Sequence, residues 1–239
     1  MPLQEERFRT TNYVRHNMRR LEHLTSLGLP LEGREILELG AGIGDHTAYF
    51  LDRGCKVLAI EGRDDNIDYM RDALVSLKRY QEGKDFRLLL GDLDDPRPIK
   101  VPAHDVVYCY GLLYHVSAPA RLVRWMARKC TNLLLLETCV SYHDERPGRK
   151  KDEDIDCPTQ ALHGQGSRPS RPELLAWLKQ GFEYVYFPVT QPAHEQFPLD
   201  WTLEKAPGQL TRAIFVASRT PITDNALLTE ELPKHYRLV

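Results

Sequence analysis

The chain has 239 residues, 42% hydrophobic and 28% charged, with a formal net charge of −2, which is the composition of a soluble globular domain long enough to bury its own core without disulfides or metal. That balance argues against a dedicated nucleic-acid binder, whose phosphate contacts need a large excess of Lys and Arg, and no run approaches the ~20 apolar residues of a membrane span. The cysteines at 55, 109, 130, 139 and 157 form neither a disulfide framework nor a C-x-x-C pattern.

Cys55, Cys109, Cys130 and Cys139 lie in or beside apolar runs and read as small core residues. Met1 to Gly28 is too rich in Arg and His for a signal peptide, so a cytoplasmic location is expected. Thr11 to Leu27 carries Val14, Met18, Leu21, Leu24 and Leu27 at helical spacing, an amphipathic helix stopped by Gly28 and Pro30. Arg7, Arg9, Arg15, Arg19 and Arg20 crowd the same segment and read as a solvated helix face.

Short apolar runs then alternate with helical patterns. Strands are expected at Glu35 to Leu39, Lys56 to Glu61, Phe86 to Leu90, Asp105 to Tyr110 and Asn132 to Thr138, with helices at Asp45 to Arg53, Asp64 to Gln81 and Ala118 to Lys129. Each strand is a continuous apolar run, as in a parallel sheet covered on both faces. Ser141 to Ser170 has few apolar residues, and ten of the thirteen positions from Asp144 to Asp156 are charged, which reads as a mobile loop or lid. A helix at Pro172 to Gln180 and strands at Phe182 to Phe187 and Arg212 to Ser218 complete the pattern. The order predicts an α/β, doubly wound, Rossmann-like fold with a mostly parallel sheet of seven strands. Residues 1–32 form an N-terminal helix or lid and 33–220 the main domain, with loop insertions at about 140–170 and 189–210. Residues 221–239 read as a tail.

Chemistry concentrates where the first strand runs into Glu38-Leu39-Gly40-Ala41-Gly42-Ile43-Gly44-Asp45. The glycines permit a sharp turn and close ligand approach, and the following helix offers free amides. A dinucleotide fingerprint would require glycine where Asp45 stands, and Glu38 would repel a pyrophosphate, which disfavours a nicotinamide-dependent oxidoreductase. An acid at 38 can instead pair with an ammonium group. Glu61 ends the second strand about twenty residues beyond the glycines and can accept from ribose hydroxyls, and Asp92 ends the third.

These three strand-end acids, the glycine turn and two closing strands that look antiparallel together resemble the class I S-adenosylmethionine-dependent methyltransferases over about residues 33–220. The resemblance implies S-adenosyl-L-methionine as cofactor and an antiparallel final strand. It sets Glu38 and the backbone at Gly40 and Gly42 at the methionine end, Glu61 at the ribose hydroxyls and Asp92 with Leu93 at the adenine, with Ala41 and Gly62 as further cofactor-binding positions, while Tyr110 and Tyr114, which flank one later turn, are placed to pack on the cofactor or shape the acceptor pocket. Tyr110-Gly111-Leu112-Leu113-Tyr114-His115, Leu133 to Thr138 and Trp177 to Phe182 resemble, more narrowly, the branch containing the tRNA wobble-uridine carboxymethyltransferases. That branch has a long N-terminal extension, whereas about thirty residues precede the first strand here.

Within this reading His115 is the candidate general base, because it follows the fourth strand and its ordinary pKa suits proton removal from a hydroxyl. Tyr114 would shape the acceptor pocket, and Glu137, ending the fifth strand, would orient His115 or an acceptor hydroxyl. His143, Arg168, His194 and Trp201 belong to the rim loops as substrate candidates, with Trp201 as a platform for a small ring. No metal is expected. The expected activity is methyl transfer to a hydroxyl of a small polar acceptor, a sugar or secondary metabolite. A tRNA or RNA methyltransferase is the second choice and a non-catalytic cofactor-binding scaffold the third. A small-molecule acceptor is the expected partner, a membrane is not, and a homodimer is left open.

Overall fold

The structure, a computed structural model, describes residues 3–142, 144, 148–204 and 209–239. In chain order the elements are α1 (Leu3–Phe8), α2 (Thr11–Ser26), β1 (Glu35–Leu39), α3 (Asp45–Leu51), β2 (Lys56–Glu61), α4 (Asp64–Ser76), β3 (Phe86–Leu90) and β4 (His104–Tyr110). A single 3-10 turn at Leu113–His115 leads to α5 (Pro119–Lys129) and β5 (Cys130–Cys139). Then follow β6 (Arg149–Asp152), β7 (Gln165–Arg168), α6 (Arg171–Lys179), β8 (Tyr184–Pro188), β9 (Thr190–Gln191), β10 (Arg212–Ser218), β11 (Leu228–Thr229) and β12 (Arg237–Leu238).

The main sheet has the order β11-β8-β10-β5-β4-β1-β2-β3. Strands β1 to β5 run parallel, and β10 inserts antiparallel between β5 and β8. This is the doubly wound, Rossmann-like layout expected from the alternating pattern, extended by one strand. Because side chains alternate along a strand, β5 sends Leu134 and Leu136 to the face covered by Val123 and Met126 of α5 and Leu174 and Leu178 of α6. Leu133 and Leu135 go to the other face, with Leu24 of α2, Phe50 of α3 and Met70 of α4. Cys55, Cys109, Cys130 and Cys139 are buried free thiols of this core. Local signals set the boundaries. Ser170 and Glu173 form a reciprocal capping box at α6, and α4 stops at Ser76, short of Gln81, where Lys78 takes φ 56°.

Three expectations are corrected. Residues 149–168 are not a structureless lid: β6 and β7 pair as an antiparallel hairpin, whose connection lies over the sheet end. The segment from 221 onward is no loose tail. Its β11 adds an eighth strand on β8, Asn225 donates to the Leu27 carbonyl at 2.8 Å, and Trp201 N donates to the Lys234 carbonyl at 2.8 Å. The third concerns α2, whose inner face is His16, Asn17, Arg20, His23 and Leu24, whereas Met18 is exposed. The helix is rotated relative to its apolar stripe because it crosses the carboxyl end of the sheet, where polar groups have partners. No described helix is long and apolar enough to cross a membrane.

Candidate active site

The carboxyl ends of β1 to β4, the N-terminal helices and the β6–β7 connection enclose a cleft of about 860 Å³, counting space open to solvent. Gly40, Gly42, Glu61, Gly62, Asp92, Leu93 and Tyr110 all line it, while Glu38 and Ala41 line a narrower recess alongside. Gly40 has φ 69°, and a Cβ there would stand 2.9 Å from the Leu112 side chain, so glycine is required on both counts. The Gly42 N–H donates to Glu61 Oε2 at 2.9 Å, while Arg63 N–H (3.1 Å) and the Asn66 amide (3.3 Å) donate to Oε1. Burial pushes the Glu61 carboxyl up, against the pull of those donors. Asp92 accepts from the Asp94 amide at 2.8 Å and lies 2.8 Å from His163 Nε2.

Glu38 is buried with the Thr47 hydroxyl donating to it at 2.6 Å, and among the described residues no cation pairs with it. Burial pushes its pKa up to about 8. A buried carboxyl waiting for a cation beside a glycine turn, with a second acid ringed by amides and a third at the next strand end, suits S-adenosylmethionine. The ammonium would meet Glu38, the ribose hydroxyls Glu61, and the adenine edge Asp92 with Leu93. Among the described residues the Tyr110 hydroxyl is buried without a partner, which a ligand in the adjoining cleft would offset.

The turn after β4 places Tyr114 and His115 in the cleft lining. His115 Nδ1 is hydrogen-bonded to Glu153 of the β6–β7 connection, whose side chain also accepts from the Ala161 amide (2.9 Å) and from Arg168 (3.2 Å). Burial lowers the His115 pKa, with the Glu153 bond and charge opposing. Burial would raise Glu153, but the contacts from His115, the Ala161 amide and Arg168 outweigh it and hold the carboxyl below its ordinary value. An ionised Glu153 requires the proton on Nδ1, so Nε2 presents a lone pair.

Glu137 does not orient His115, contrary to the expectation from its strand-end position. Its Oε2 accepts from Arg20 of α2 and its Oε1 from Arg212, both at 2.9 Å, and all three side chains are buried. Burial alone would raise this carboxyl, yet the charges and hydrogen bonds of Arg212 and Arg20 bring it below the usual range. Antiparallel pairing explains the arrangement: with Arg212 opposite Cys139 and Ile214 opposite Glu137, the start of β10 meets the end of β5. Arg212 also donates to the Tyr114 hydroxyl at 3.1 Å, and Arg168 and Arg212 both stand 4.9 Å from the Tyr114 ring centre.

The other rim candidates divide. Arg168 holds Glu153 and the Tyr114 carbonyl (3.1 Å) and so acts behind the cleft. His194 packs on His16, ring centres 4.8 Å apart, and it is His16 that lines the cleft. Trp201 is no ring platform: it stacks on Tyr142 at 5.2 Å, with the Arg171 guanidinium 3.6 Å from its ring centre. His143 lies outside the described residues. Sequence reasoning missed Tyr13, His16, Arg20, Asn66, Glu153 and Arg212. The spacing of Tyr13, His16 or Asn17, Arg20 and Leu24 by three and four was a signal for a polar inner face on α2. Arg20 is therefore not part of a solvated face, and Arg9, Arg15 and Arg19 are paired with Asp45, Glu195 and Glu22. Among the described residues no His, Cys, Asp and Glu cluster could hold a metal.

Residues 37–132 match the family described as a methyltransferase domain. The N-terminal domain of EvdMO1, solved in the presence of S-adenosylhomocysteine (SAH) and D-fucose, is similar in fold, with a TM-score of 0.63 and 21% identity over 83% of this chain and 81% of that one. A Burkholderia thailandensis 1,6-didemethyltoxoflavin N1-methyltransferase, bound to 1,6-didemethyltoxoflavin and SAH, has a TM-score of 0.56 and 18% identity over 88% of this chain and 80% of that one. A Mesorhizobium loti S-adenosylmethionine-dependent methyltransferase has a TM-score of 0.58 and 16% identity over 84% and 98%. No curated protein sequence matches. Residues 37–132 thus match a methyltransferase domain, set on a sheet whose order and strand-end acids resemble those of the class I S-adenosylmethionine-dependent methyltransferases.

Proposed function

We propose that the enzyme methylates a hydroxyl of a small polar acceptor, with His115 as general base and Glu153 as the residue that positions it. The observation that carries this reading is the His115–Glu153 hydrogen bond at the wall of the cleft. The bound cofactor supplies an activated methyl group. The chain itself has then to align a nucleophile and relieve it of a proton, and alignment alone can contribute several kcal/mol. His115 Nε2 takes the hydroxyl proton, while Glu153, held in turn by the Ala161 amide and Arg168, fixes the ring and stabilises the imidazolium. Tyr114, pinned through its hydroxyl by Arg212, forms the wall behind the acceptor. Support for a sugar-like acceptor comes from the polar lining and from a structural neighbour solved in the presence of D-fucose.

Incubation with S-adenosylmethionine and a panel of sugars, hydroxy acids and hydroxyaromatics should yield a methyl ether, identified by mass spectrometry and NMR. Methylation confined to nitrogen or carbon would overturn the hydroxyl assignment.

A second expectation follows from Glu38. With a pKa of about 8 its carboxyl is protonated at pH 7, and pairing with the cofactor ammonium requires ionisation. SAH binding at pH 7 should therefore release close to one proton, read by calorimetry in buffers of different ionisation enthalpy. Glu38→Gln should abolish the release. The same release from the variant would show that Glu38 does not receive the ammonium.

A further inference from the structure

The buried cluster behind Tyr114 contains more positive charge than negative. Arg20 and Arg212 share one carboxylate, Glu137, and the three side chains are 4%, 6% and 0% exposed. Among the described residues the remaining hydrogen bonds of the two guanidiniums are to neutral groups: Arg212 donates to Gln196 Oε1 (2.6 Å) and the Tyr114 hydroxyl (3.1 Å), and Arg20 to the Asn17 side-chain oxygen. Among the described residues Arg20 Nε and His16 Nε2 are buried without a partner, and both residues line the cleft together with Arg212. Arg20 also stands so close to Gly111, which has φ 80°, that a Cβ there would meet its Nη1 at 2.9 Å. The cluster is thus pressed against the turn that carries Tyr114 and His115.

A buried charge without a counter-ion is costly, and the guanidinium fork is the side chain best matched to a carboxylate. The cofactor does not remove the excess, because its single carboxylate arrives with an ammonium and a sulfonium. We propose that the acceptor carries a carboxylate close to the hydroxyl to be methylated, and that Arg212 and Arg20, braced by Glu137, bind it. One negative charge matches an excess of one, whereas a pyrophosphate would overshoot. Arg212 places the group at the acceptor end: it lines the cleft with Tyr114 and His115, while the recess beside Glu38 is lined by Arg20 and not, among the described residues, by Arg212. The acceptor class is then a hydroxy acid or sugar acid.

The inference rests on the methyltransferase reading, and SAH binding measured by calorimetry tests that reading separately. Sodium formate, the smallest carboxylate, is titrated into the protein loaded with SAH, and into the protein loaded with 5′-methylthioadenosine, which lacks the amino-acid end. Formamide is the neutral control, ionic strength is held constant, and the readouts are calorimetry and thermal melting. Saturable formate binding in both complexes, absent for formamide and weakened about tenfold or more in Arg212→Gln, is the expected result. Formate binding only beside 5′-methylthioadenosine would assign the arginines to the cofactor's own carboxylate and overturn the proposal. So would an absence of formate binding in a protein that binds SAH, or tighter binding of inorganic phosphate than of formate. Should Arg212→Gln not fold, the comparison of the two wild-type complexes still decides the matter.

Discussion

Replacing His115 with alanine should lower kcat by about 10²- to 10⁴-fold, the usual contribution of a general base, while SAH affinity measured by calorimetry stays at the wild-type value. The separation follows from the proposed roles, in which His115 serves the acceptor while Glu61 and Glu38, elsewhere in the lining of the cleft and its recess, hold the cofactor. Glu153→Gln should lose less, about 10- to 100-fold, since a hydrogen-bonding side chain remains but the stabilising charge does not. Its pH profile separates positioning from mere packing. Burial lowers the His115 pKa and Glu153 pulls it back up, so removing the carboxylate leaves only the lowering influence. The acid limb of kcat/KM, which in the wild type lies below the ordinary imidazole pKa of about 6.5, should move to still lower pH in Glu153→Gln, and the plateau should fall. An unchanged acid limb with reduced kcat would assign Glu153 a purely structural role, and an active His115→Ala would remove the base.

The location of this dyad shows what could be read in advance. Strands β1, β2, β3 and β10 were legible to the residue because each is a short, mainly apolar run ended by Gly or a polar residue, a signal contained within a few positions. The strand-end acids were legible for the same reason: Glu38, Glu61 and Asp92 are each defined by their own strand. The acceptor side was not. Arg20 and Glu137 are 117 residues apart, Arg212 and Glu137 are 75 apart, and His115 and Glu153 are 38 apart. No local pattern encodes such pairings, and each partner sat in a context with a blander reading. Glu153 lay in a charged stretch that looks solvated, and Arg20 in a run of helical arginines. The stretch folds because one of its carboxylates turns inward to His115, Arg168 and the Ala161 amide, which local composition cannot reveal.

The largest expected effect on stability is at Glu137. Substituting Gln removes the one carboxylate that, among the described residues, Arg20 and Arg212 share, and leaves two buried guanidiniums facing each other across a neutral amide. Breaking a buried ion pair by removing one partner costs about 3–5 kcal/mol, which for a chain of this size corresponds to a fall in Tm of roughly 10 °C. Arg20→Met in the same background should return part of that loss, because one uncompensated charge is then gone. A double-mutant cycle should therefore show a coupling of about 1–3 kcal/mol, measured by urea unfolding. Two additive losses would mean that the guanidiniums find other counter-ions and that the cluster carries no excess charge. Formate should stabilise Glu137→Gln more than the wild type, since the variant holds two positive charges where the wild type holds one in excess, and ligand binding to the folded state adds directly to stability. That ordering ties the stability of the fold to the chemistry of its acceptor: the carboxylate that braces the two arginines also sets how strongly they draw a second one from solution.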